Sequence, residues 1–103
     1  MSGSTREFAH PEPAHLELTA VLFALSDPAR LELVRRLADR GPLEVAECQP
    51  ESGPVPKSTL SHHLKTLREA GVVRNVPQGR QRLVSLRRDD LDTRFPGLLD
   101  AVL

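Results

Sequence analysis

Three phenylalanines, Phe8, Phe23 and Phe95, are the only large aromatic side chains among the 103 residues, with neither tryptophan nor tyrosine. Aromatic rings supply much of the buried area in an ordinary core. Here leucine, valine and alanine must close it instead, and such an aliphatic core suits packed helices. The length makes one domain, near the lower end of what folds alone. Hydrophobic residues at 39% and charged residues at 27% are globular proportions, which argues against a disordered or fibrous chain. No apolar run approaches the ~20 residues of a membrane span, and MSGSTREFAHPEPAH lacks the apolar stretch of a secretory signal. The single cysteine, Cys48, excludes an internal disulfide framework and a cysteine-only zinc site. These features predict a cytoplasmic chain with no membrane partner.

The formal net charge of zero hides a strong asymmetry. Residues 57–88 hold eight lysines and arginines against the single acid Glu69, a net +7. The preceding residues carry five arginines against nine acids, and residues 89–103 carry Arg94 against four aspartates. Clustered positive charge is the footprint of phosphate binding, whereas a merely solvated face usually mixes signs.

Residues 1–14, with Pro11 and Pro13, read as a flexible tail, and residues 15–103 as the folded domain. From His15 to Leu25 the spacing of Leu18, Val21, Leu22 and Leu25 predicts a helix. Leu16, Ala20 and Phe23 widen its apolar surface, enough to meet a second subunit. Asp27-Pro28 is a helix start and Gly41-Pro42 its end. Leu33, Val34, Leu37 and Ala38 form the expected buried stripe, with Arg35, Arg36 and Arg40 outward. A short helix from Leu43 to about Cys48 is expected next, then a break at QPESGPVP. VVRNV and RLVSLR read as two strands joined through Pro77-Gln78-Gly79-Arg80. A last helical stretch begins at residues 89–92 and is interrupted at Pro96, with Leu98, Leu99, Val102 and Leu103 on its apolar face.

The chemistry lies in KSTLSHHLKTLREAG, residues 57–71. On a helix, Leu60, Leu64 and Leu67 align as the core side, with Ala70 nearby. Ser58, Ser61, His62, Lys65 and Glu69 fall opposite. Lys57, Ser58, Thr59, Ser61, His62 and Lys65 are the expected DNA contacts, since short hydroxyls let the backbone approach base edges and His62 and Lys65 donate to guanine N7 and O6 or to phosphates. His63, beside the leucine stripe, reads as a partly buried structural histidine. Gln78, Arg80 and Arg82 sit at or near the hairpin tip, placed for phosphates or an adjacent minor groove, the alternative being an exposed turn with incidental arginines.

LSDPARLELVRRL, STLSHHLKTLREAGVV and a hairpin containing Gly-Arg together resemble the ArsR family of bacterial winged helix-turn-helix regulators. The resemblance covers roughly residues 15–103, and its most specific part is Ser58, Ser61, His62, His63 and Leu64. It implies a mainly α fold with a two-stranded β-hairpin wing. It also implies a homodimer built from the first and last helices, acting on a palindromic operator in double-stranded DNA as a nucleoid-associated repressor that a signal releases. Leu18, Val21, Phe23, Leu99 and Val102 are the expected dimer contacts.

The chain departs from the family in its signal site. Arsenic, lead and cadmium sensors carry Glu-Leu-Cys-Val-Cys-Asp-Leu, and the matching stretch here puts Glu44 and Ala46 at the cysteine positions. Cys48 falls at an apolar position and reads as a core side chain. Nickel and cobalt sensors of the family draw histidines from the N-terminal tail. His10, His15 and Glu17 are the corresponding candidates here for Ni2+ or Zn2+, the alternative being solvated histidines and a metal-independent regulator. An enzyme is not expected. There is no glycine-rich phosphate loop and no His-Glu-x-x-His helix, and the neighbours Ser61 and His62 do not face each other as a dyad. A protein-interaction module on the same scaffold is the remaining alternative, but it leaves the +7 block unexplained.

Overall fold

A computed structural model describes residues 8–103. Five helices alternate with a small sheet: α1 (Leu18–Leu25), α2 (Pro28–Arg40), β1 (Leu43–Glu44), α3 (Lys57–Glu69), β2 (Val73–Gln78), β3 (Gln81–Leu86), α4 (Arg88–Arg94) and α5 (Leu98–Val102). The core is aliphatic, as the composition requires. Val21, Val34, Leu67, Val72, Val73, Val84, Leu91 and Leu99 are fully buried, while Phe23 is 65% exposed.

Local chemistry sets the helix ends. Asp27 Oδ1 accepts from the backbone N–H groups of Ala29 (2.8 Å) and Arg30 (3.1 Å), and Pro28 opens α2 without wasting a donor. Gly41 closes α2 at φ 86°, its N–H donating to Leu37 O at 3.0 Å. The first helix begins later than its apolar spacing predicts. After a 3-10 turn at Pro13–His15, Leu16 and Glu17 run extended. Leu16 thereby drops into the core at 1% exposure, and its carbonyl accepts from Arg94 Nε at 3.1 Å.

The expected helix at Leu43–Cys48 is instead a strand followed by a 3-10 turn. Leu43 pairs with Val84 and Glu44 with Leu83, so the sheet has three antiparallel strands in the order β1-β3-β2. Glu44 N–H donates to Glu47 Oε1 at 2.8 Å and starts the turn Val45–Cys48. Cys48 is buried there, as its apolar position suggested, and burial pushes its thiol pKa up to about 11.

Three further expectations change. Arg36 does not face outward. It is buried, and its guanidinium donates to the carbonyls of Glu47 (3.0 Å), Cys48 (3.2 Å) and Gln49 (2.9 Å), which tie the 3-10 turn to α2. Ala38 is exposed instead of buried. Val21 and Leu99, expected at a subunit interface, lie in the protomer's own core, because the 3–4 spacing that aligns Val21 with Ala24 and Leu25 turns that face inward. Leu18, Leu22 and Phe23 remain exposed, and Val102 is partly buried against the core.

The tail reading also meets a structural finding. Residues 1–7 lie outside the described residues, but the chain makes contacts with the body as far back as Phe8. His10 Nε2 accepts from Asn75 N–H at 3.1 Å, and Pro11 lies beside Gly71.

Gly71 ends α3 at φ +84°, and a Cβ there would collide with the Leu16 side chain. Gly79 also has positive φ (+62°), but open space around it. Gly71→Ala is therefore expected to lower unfolding free energy by roughly 2–4 kcal/mol, combining backbone strain with overpacking, and Gly79→Ala by only about 1 kcal/mol. Urea unfolding followed by circular dichroism measures both.

Candidate nucleic-acid interface

The leucines of α3 decide which of its faces meets solvent. Leu60, Leu64 and Leu67 are buried against the core, each contributing roughly 1.5–3 kcal/mol on transfer from water. Lys57, Ser58, Ser61, His62 and Lys65 are consequently exposed along the opposite side, and Thr59 is half-buried. Pro56 precedes the helix and no side chain caps it, which leaves the first backbone N–H groups of α3 open toward an anion. The insert before it is closed by Gln49, whose side chain accepts from Val55 N–H (2.8 Å) and donates to Val55 O (3.1 Å). That paired contact delivers the chain to Lys57 in a fixed direction.

The wing is β2–β3. Gln78 pairs with Gln81 across a two-residue loop, and the positive φ of Gly79 suits its first position. Gln78, Arg80 and Gln81 are exposed at the tip. An open cleft of about 520 Å3 between the start of α3 and the wing is lined by Lys57, Ser61, Arg80 and Gln81, among others. It brings the helix start and the wing tip onto one surface.

Arg82, expected at or near the tip, also lines this cleft and is engaged within the hairpin. It is half-buried, its Nε donates to Asn75 Oδ1 (2.8 Å) and its Nη2 to Asn75 O (2.9 Å), and it stacks on Phe8. The guanidinium thus reaches from a residue paired next to the loop to Asn75 in the middle of β2. Two residues that sequence reasoning missed share this place. Arg68, one helical turn from the buried Leu64, also stacks on the Phe8 ring. The signal for Phe8 was a lone aromatic in an otherwise polar segment.

Tertiary contacts also redistribute the positive block. Arg74 and Arg87 pair with Asp90 (3.4 and 3.0 Å), and Arg88 pairs with Asp92 (3.2 Å) and Asp100. The acidic last segment thus folds back on the far end of the basic one. Among the described residues, Lys57, Lys65 and Arg80 have no ion pair, and all three lie on the α3–wing surface.

His63 is half-buried behind His62, with Nδ1 3.2 Å from Arg30 Nη1. Arg30 is buried and donates to Ala24 O (2.8 Å) and Phe23 O (3.3 Å) at the end of α1. One guanidinium therefore links the end of α1 to α3.

The candidate metal ligands do not converge within one chain. Among the described residues, no group of three or more His, Cys, Asp or Glu is placed to hold a metal. His15 and Glu17 are exposed, and His10 is committed to Asn75. Burial and then the charges of Arg74, Arg68, Arg87 and Arg82 hold the His10 pKa below its ordinary value.

A recognition helix with a buried leucine underside, followed by a hairpin wing, defines a winged helix-turn-helix, a DNA-binding class. A family model described as a helix-turn-helix domain matches residues 25–76. YceK, a helix-turn-helix-type transcriptional regulator of Bacillus subtilis strain 168, is 40% identical over 88 residues, 84% of this chain and 87% of its own. The crystal structure of an ArsR family transcriptional regulator superposes with a TM-score of 0.67 at 26% identity, covering 82% of this chain and 90% of that one. The transcriptional repressor BigR of Xylella fastidiosa gives 0.59 at 31% identity, over 76% of this chain and 85% of its own. The chain belongs to the ArsR family of winged helix-turn-helix transcriptional regulators. Among the described residues, no helix is long and apolar enough to cross a membrane.

Burial lowers the His63 pKa below its ordinary 6.5; Asp27 opposes this, and the smaller effects of Arg30 and His62 add to it. The folded protein therefore keeps His63 neutral while the unfolded chain takes up a proton below that value. The stabilisation is complete above about pH 6.5 and is lost as pH falls through the folded pKa. The urea midpoint is expected to drop between about pH 7.5 and about pH 5, with a shallower drop in His63→Gln and the remainder arising in part from His10.

Proposed function

We propose that the protein is a sequence-specific repressor that binds a palindromic operator as a homodimer, in the cytoplasm and on the nucleoid. The observation that carries this reading is the shared surface of α3 and wing. Lys57, Ser61 and Arg80 line one cleft, Ser58 and Lys65 are exposed on the same helix, and among the described residues none of the three cations has an ion pair. On this reading Ser61 and His62 contact base edges, while Lys57, Lys65 and Arg80 contact phosphates. Arg82 sets the wing rather than reaching the groove.

The dimer reading is supported by Leu18, Leu22 and Phe23, which leave one side of α1 apolar at 44%, 45% and 65% exposure. A two-fold axis through this helix would give two recognition helices and hence a two-fold operator. BigR, described as a repressor and 31% identical, supports the sign of regulation. On this reading the signal does not use His10, whose Nε2 already accepts the Asn75 N–H. A nickel or zinc site would require a second protomer to bring ligands to His15 and Glu17.

The test is a fluorescence titration of DNA upstream of the gene, against random duplex, across a salt series. Ser61→Ala or His62→Ala is expected to cost ~1–3 kcal/mol on the operator and little on random DNA, whereas Arg80→Ala weakens both and flattens the salt dependence. Equal losses on both DNAs would reassign Ser61 and His62 to the phosphates. Leu22→Glu should sediment as a folded monomer and lose tight operator binding; a wild-type monomer that binds tightly would remove the dimer.

A further inference from the structure

Phe8 precedes the helix-turn-helix segment, yet its ring touches both elements of the DNA-facing surface. The guanidinium carbon of Arg68, on α3, lies 4.2 Å from the ring centroid, and that of Arg82, on β3, lies 4.3 Å from it. These three residues line an open cleft of about 400 Å3 with Ser61, Lys65 and Asn75. Two guanidiniums gathered on one ring repel each other, and the negative face of the aromatic ring compensates each of them. Glu69 is 3.7 Å from Arg68 but is itself exposed, so its charge is screened.

The arm carrying Phe8 is anchored a second time. His10 accepts the Asn75 N–H, while Arg82 takes both the Asn75 carbonyl and its side-chain oxygen. Asn75 is on the edge strand β2, and these contacts satisfy polar groups there. Phe8, Arg82, Asn75 and His10 thus form a closed circuit of contacts that includes the wing, with Arg68 joining it to α3.

We propose that Phe8 is a positioning residue for DNA recognition: by holding Arg68 of α3 and Arg82 of β3 on one ring, it fixes the wing relative to the recognition helix. Wing and helix contact DNA at different places, so an error in their relative angle costs specific contacts more than diffuse phosphate attraction. The proposal rests on the interface reading above.

The experiment compares Phe8→Ala, Phe8→Leu and Phe8→Tyr with wild type, on operator and on random duplex. The arginine Nε–Hε resonances of the free proteins are recorded alongside, assigned with Arg68→Lys and Arg82→Lys. Tyrosine keeps the ring, and leucine keeps apolar bulk without it. Phe8→Ala and Phe8→Leu are expected to bind operator about tenfold more weakly, the scale of two partly desolvated cation–π contacts, and random duplex within about twofold of wild type. Phe8→Tyr should bind as wild type. The Arg68 and Arg82 resonances should carry a ring-current shift in wild type and Phe8→Tyr that disappears in the other two. Wild-type affinity in Phe8→Leu, equal losses on both DNAs, or resonances indifferent to the ring would each overturn the proposal. A wild-type chain that binds no duplex overturns the interface reading and this proposal together, whereas wild-type binding with an unaffected Phe8→Ala overturns this proposal alone.

Discussion

Burial of Leu60, Leu64 and Leu67 is the interaction on which the rest of the site depends. A helix has one degree of rotational freedom about its axis, and three leucines on one stripe remove it. Once they are in the core, the Ser, His and Lys side chains on the opposite side have nowhere to point but outward. Arg30 adds a polar constraint to that apolar one by spanning from the α1 carbonyls of Phe23 and Ala24 to His63 on α3. A buried guanidinium is stable only when its donors are met, so α1, α2 and α3 are held in one relative arrangement.

Charge shows how folding changes the meaning of composition. Along the chain the basic block is uniform from Lys57 to Arg88. In space it divides. Arg74, Arg87 and Arg88 are neutralised by aspartates of α4 and α5. Arg68 and Arg82 turn to an aromatic ring, and Arg36, from the acidic half, is spent on three carbonyls. Within the basic block, Lys57, Lys65 and Arg80 have no ion pair among the described residues and are exposed on α3 and the wing tip. The positive field left without an acidic partner is therefore smaller and more local than the sequence count suggests, and it lies beside the exposed short side chains of Ser58 and Ser61.

The wing is a hairpin of two six-residue strands closed by a two-residue loop. Its third strand, β1, adds only two residue pairs, and β2 is an edge. The N-terminal arm covers that edge and joins it to α3 through Phe8 and Arg68. A small sheet is weak by itself, and the fully buried Val73 and Val84 join this one to the core.

Much of this was legible in the sequence because it rests on short-range periodicity. The α3 stripe, the Asp27-Pro28 start, the Gly41 stop and the β2–β3 hairpin all follow from residues within a turn or two of one another. Contacts between residues distant in the chain were not legible. Nothing near Leu43 announces that it pairs with Val84, and β-pairing overrode the helix expected there. Apolar character alone could not tell that Val21 and Leu99 would be buried inside one protomer while Leu22 and Phe23 stayed exposed. The sequence by itself determined the elements and the polar face of α3, because local backbone and side-chain preferences act over a few residues. Only the tertiary structure decided which arginines remain available and where Phe8 lies, because ion pairs and ring contacts depend on distances that chain separation does not specify.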